Sequence, residues 1–88
     1  MTKYYLKITR TPTSKNIFHN SKTEYYVNME SPISSFCEPT DEDLKVFGFG
    51  NFKAAENIKK QKEKIYSRDD KKFNTWIHAV EIKKRDFK

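Results

Sequence analysis

Eighty-eight residues with 35% hydrophobic content and a mean hydropathy of −0.96 allow one small core and leave no room for a second domain, so residues 1–88 are read as a single domain. No apolar run approaches the roughly 18 residues of a membrane span, and a 15% aromatic content supplies rings large enough for a globular rather than a disordered chain. The net charge of +6 points association toward anionic partners.

Lys3 to Arg10 alternates Tyr4, Leu6 and Ile8 against Tyr5, Lys7 and Thr9, the period of a half-buried strand. Residues 11–22 are polar, with Pro12, Ser14, Asn16, Asn20 and Ser21, and read as a long hairpin connection in which Ile17-Phe18-His19 is an apolar island able to extend a strand. Glu24 to Met29 places Tyr25, Val27 and Met29 on one face and forms a second strand, antiparallel to the first.

Ser31-Pro32-Ile33 has a capping residue before a proline at a first helical position, which suggests a short turn over 32–36 that Pro39 stops. Thr40-Asp41-Glu42-Asp43 can cap another helical turn or lead into a strand over Leu44 to Phe49, and the strand is the reading adopted. Gly50 and Asn51 then supply a turn and an N-cap for a helix from Phe52 to Tyr66, and Trp76 to Ile82 closes the chain as a strand with Trp76, His78, Val80 and Ile82 on one face. The expected fold is α+β, a small antiparallel sheet of three to four strands packed by one main helix in the order β-β-β-α-β.

In the 52–66 helix, Phe52, Ala54, Ala55, Ile58, Ile65 and Tyr66 share one arc, while Lys53, Asn57, Lys60 and Lys64 lie opposite. Lys62 falls near the apolar arc and must lay its methylenes along the core edge. Arg68, Lys71 and Lys72 are expected in the following loop, and Lys83, Lys84, Arg85 and Lys88 lie near the end. Residues 1–44 carry a net charge of −1 and residues 45–88 a net charge of +7, which puts the basic surface in the second half. Such a lysine face either serves solubility or attracts phosphates and acids, and lysine in place of arginine favours diffuse attraction over bidentate base reading.

Little in the sequence speaks for catalysis. His19 and His78 stand beside no nucleophile motif, and there is no phosphate-binding glycine loop and no paired-cysteine metal site, so no enzyme activity, metal or cofactor is expected. Glu38 and Asp41-Glu42-Asp43 lack the glycine and spaced oxygens of a calcium loop, and read as capping and solubility. A single cysteine, Cys37, excludes an internal disulfide, and Met1 to Leu6 lacks the apolar stretch of a secretory signal, so a reducing cytoplasm is the expected compartment.

Lys45-Val46-Phe47-Gly48-Phe49-Gly50-Asn51-Phe52 holds both glycines of the chain and three of its seven phenylalanines. It resembles the core octamer of the RNA recognition motif family, matching at Lys45, Phe47, Gly48, Phe49 and Phe52 and departing at Val46 and Gly50. The resemblance implies that Phe47 and Phe49 stack on unpaired bases. Against it, residues 11–22 offer no helix between the first two strands, and the octapeptide reads equally as a strand that breaks at glycine and turns into a helix.

The 15 lysines, with abundant Asn, Ile, Phe and Tyr, suit AT-rich codons and hence a low-GC bacterium or its phage. With the Tyr4 to Ile8 strand, the Phe52-x-x-Ala55-x-x-Ile58 helix and the Trp76 to Ile82 strand, the whole chain is similar in size, composition and organisation to accessory proteins of such phages, among them the anti-CRISPR inhibitors. That resemblance implies a non-enzymatic inhibitor that occludes a surface of a host protein or nucleoprotein complex. The alternatives are a stand-alone module for RNA or single-stranded DNA and a small subunit of a larger assembly. The residues expected to bind are Phe47, Phe49, Lys53, Lys60, Lys64, Arg68, Lys71 and Lys72, with no membrane partner.

Overall fold

The computed structural model describes residues 1–28 and 35–87. In chain order it holds β1 (Thr2–Pro12), β2 (Thr23–Val27), α1 (Asp41–Phe47), α2 (Phe52–Phe73) and β3 (Trp76–Asp86). The strands form one antiparallel sheet in the order β2-β1-β3, an α+β architecture with one main helix. Met29 and most of the turn expected over 32–36 lie outside the described residues.

The alternation in β1 sets the layers. Tyr4, Leu6 and Ile8 point toward α2 and meet Val80 and Ile82 of β3, Tyr25 and Val27 of β2, and Ala55 and Ile58 of the helix. Leu6, Ile8 and Ala55 are fully buried. Registers pairing Leu6 with both Val27 and Ile82 bring the apolar faces of all three strands together, as period-2 patterning requires.

On the opposite face, Tyr5 is buried beneath the segment leading into α1. Its hydroxyl donates to Glu38 Oε1 at 2.7 Å, and Arg85 reaches across from β3 to the Pro39 carbonyl at 2.8 Å, Asp41 at 3.0 Å and Glu38 at 3.3 Å. Ser35 pairs with Tyr26 through both backbone bonds, continuing the sheet beyond β2 by one bridge.

The strand expected over Leu44 to Phe49 is instead α1 and its exit, so the order is β-β-α-α-β. Thr40 caps the helix by accepting from the Asp43 amide at 3.2 Å, three acids occupy the first turn, and Leu44 alone is buried. Capping and dipole complementarity thus outweigh a short apolar run. Of the expected strand only Phe49 pairs, exchanging both backbone bonds with Tyr4 at 3.0 and 2.9 Å beside β2.

Asn51 caps α2 by accepting from the Ala54 amide at 2.8 Å. The helix runs seven residues past Tyr66, ending at Asn74, whose left-handed backbone (φ 54°) returns its amide to the Asp70 carbonyl. Arg68, Lys71 and Lys72 therefore sit on the helix and not in a loop. Ile17 and Phe18 do not extend a strand; both are exposed in the β1–β2 connection, where Asn16 Oδ1 accepts from the Phe18 and His19 amides. Among the described residues no helix is long and apolar enough to cross a membrane.

Candidate functional site

The extension of α2 changes the surface that the lysines build. Lys53, Lys60, Lys64, Arg68 and Lys71 follow one another at gaps of seven, four, four and three residues, which keeps them on one side of a 3.6-residue helix. All five are exposed, as are Asn57 and Gln61 between them and Lys72 at the margin. At about 1.5 Å per residue, the row from Lys53 to Lys71 is roughly 27 Å long. None of the helix's four acids belongs to it.

Those acids lie on the flanks and inner side of α2. Glu56 takes Lys60 at 3.6 Å, Glu63 takes Lys59 at 3.2 Å, and Asp69 lies 3.8 Å from Arg68 Nε. The two i,i+4 pairs are those the spacing predicts, and each supports the helix by roughly 0.2–0.5 kcal/mol. Lys53, Lys64, Lys71 and Lys72 have no acidic partner within 4.0 Å among the described residues. Their ammonium groups are the ones an incoming anion meets without first displacing a carboxylate.

Asp70 holds the second half of the helix down. Its Oδ2 accepts from the His78 amide at 2.7 Å, and its Oδ1 lies 2.6 Å from His78 Nδ1, an arrangement that requires the ring proton on Nδ1. The His78 ring stacks on Tyr66 with centroids 4.2 Å apart, and the Tyr25 hydroxyl donates to that of Tyr66 at 2.8 Å. Burial first, and then this hydrogen bond, pushes the Tyr25 phenol far above its ordinary value. The chain from β2 through α2 to β3 fixes the helix, and with it the basic row.

The expected ring platform does not form. Phe49 is 2% exposed and belongs to the core, so it cannot stack on a base. Phe47 is 43% exposed at the end of α1, not on a sheet face. Without a helix between the first two strands and with α1 in place of a strand, the octapeptide is not the arrangement of an RNA recognition motif. The basic patch is also narrower than the sequence suggests. Arg85 is engaged by Glu38 and Asp41, and Lys83 by Glu81 at 3.6 Å.

Sequence reading missed the role of Asp70 and the length of the helix. Asn74 after Lys71 and Lys72 was the available signal, since a residue tolerant of the left-handed region behind basic residues marks a helix end. No known protein family matches the chain, and no curated protein or solved structure is found to be similar to it.

Proposed function

We propose that this protein is a small, basic, non-enzymatic binding module that lays the outward face of α2 on the anionic surface of a host nucleoprotein machine and blocks it by occlusion. This is the role implied by its likeness to anti-CRISPR inhibitors, and the bacterial cytoplasm is where such a target is met. The observation that carries the reading is the acid-free row Lys53, Lys60, Lys64, Arg68 and Lys71 on a rigidly held helix. Lysines at one or two helical turns attract phosphate without reading bases, which suits a blocking surface more than a sequence-specific one. Burial of Phe49 takes away one of the two rings that a stand-alone single-strand binder would use for stacking, so that alternative rests on the lysines alone.

The test is recovery of a partner from host lysate, with and without nuclease, by the natural chain and by Lys60→Glu/Lys64→Glu/Lys71→Glu. The natural chain is expected to retain a partner, and the triple variant to bind at least about tenfold more weakly while staying folded, its melting temperature lowered only by the lost Glu56–Lys60 pair and the new like-charge i,i+4 neighbours. Affinity should also fall steeply with salt. Failure to recover any partner under either condition, or full binding by the triple variant, overturns the proposal.

A further inference from the structure

Among the described residues, no strand pairs with the outer edge of β3. The bonds joining Met1 to Phe87 and Thr13 to Thr75 fix the phase of the β1–β3 ladder, so the amides and carbonyls of odd-numbered β3 residues face β1. Those of His78, Val80, Ile82 and Lys84 therefore face outward. Asp70 takes the His78 amide, but among the described residues nothing takes the row from Val80 to Lys84. β3 is 11 residues long and holds no proline. A regular edge of this kind is a template for another strand unless it is covered.

The side chains along β3 say which strand fits. In a two-fold antiparallel pairing centred on Ile82, Ile82 meets Ile82 and Glu81 meets Lys83 twice. The neighbouring registers fail on charge. Centring on Glu81, Lys83 or Lys84 sets like charges against each other at the axis, and centring on Val80 sets Glu81 opposite Ala79 and Lys83 opposite Ile77. On the helix side, Lys84 of the second copy comes opposite Val80, where a groove between α2 and β3 is lined by Phe52, Val80 and Ile82 and by the ion pairs Glu56–Lys60 and Glu63–Lys59. At His78 the outward amide is already taken by Asp70, so the shared ladder ends at the two Val80–Lys84 pairs.

We propose that two copies of this chain pair through β3 about Ile82, joining their three-stranded sheets into one continuous antiparallel sheet with both α2 helices on the same face. Glu81 and Lys83, already 3.6 Å apart within one copy, become a four-charge square across the axis. This pairing is independent of the anionic partner proposed for the outer face of α2.

Sedimentation equilibrium over a wide concentration range tests it. The natural chain is expected to be a dimer at high concentration. Lys83→Glu places four acids at the axis and should weaken the dimer at least about tenfold, with circular dichroism unchanged, because the side chain is only half-buried, at 40% exposure, and its internal ion pair contributes little. Glu81→Lys/Lys83→Glu restores opposite charges and should restore the dimer. Lys84→Pro removes only an outward amide and should dissociate it without unfolding the sheet. A monomer at every concentration, a dimer indifferent to Lys83→Glu, or failure of the double variant to recover would each overturn the proposal.

Discussion

The two glycines look alike in sequence and differ in what they permit. Neither has a positive φ, so neither is needed for left-handed backbone. A Cβ at Gly48 would lie 2.6 Å from the Leu44 carbonyl oxygen and 3.0 Å from Lys3 Cβ, whereas one at Gly50 meets nothing within 4 Å. Gly48→Ala is expected to cost about 1–3 kcal/mol, since a helix carbonyl and a strand must give way, and Gly50→Ala to stay within about 0.5 kcal/mol; denaturant midpoints measure both. Two tyrosines set a pH limit at the same scale. Burial and then the Glu38 hydrogen bond raise Tyr5, and burial and then the Tyr66 bond raise Tyr25. The unfolded chain sheds these protons near pH 10, while the folded protein keeps them to higher pH. Stability is therefore constant in this respect below about pH 10 and falls as pH rises above it. Unfolding titrations should show a shallower alkaline decline for Tyr25→Phe than for the natural chain.

At the scale of elements, legibility followed from how local the cause is. The alternation of β1 and β3 and the Asn51 cap are written in neighbouring residues, and the structure follows them. Over α1, Val46, Phe47 and Phe49 look like a strand, while the Thr40 cap and the acids before Leu44 decide for a helix. The last turns of α2 were missed because Arg68-Asp69-Asp70 interrupts the amphipathic pattern, and the reason for Asp70 is a strand residue eight positions away. Asp70→Ala should therefore destabilise the fold by about 2 kcal/mol, the worth of part-buried charge-assisted hydrogen bonds. Amide exchange should quicken from Ser67 to Phe73 before it does in the first half of the helix. Unchanged protection there would show that the helix end is held by its cap alone. Of the candidate site, the lysine positions were legible and their continuity with Lys71 was not, since continuity depends on where the helix stops.

Across the whole molecule, charge is sorted by face more than by half. The basic residues of α2 stand outward, while Arg85 is drawn beneath the sheet to Glu38 and to Asp41 at the start of α1, so the +7 of the second half is only partly displayed. The shape is elongated, 45 by 22 by 18 Å, and the row on α2, about 27 Å, is more than half as long as the molecule. β1 is the central strand, and it pairs with β3 from Thr2–Asp86 to Pro12–Trp76. Leu6 and Ile8 are synthesised early, yet Ile82 and Val80, opposite them, come more than 70 residues later. Of the strand pairing in β1, only the hairpin with β2 and the Tyr4–Phe49 bridge can close on the way. Long-range pairing of this kind slows folding, so a ribosome-bound chain holds its most deeply buried strand half-paired until β3 has left the exit tunnel.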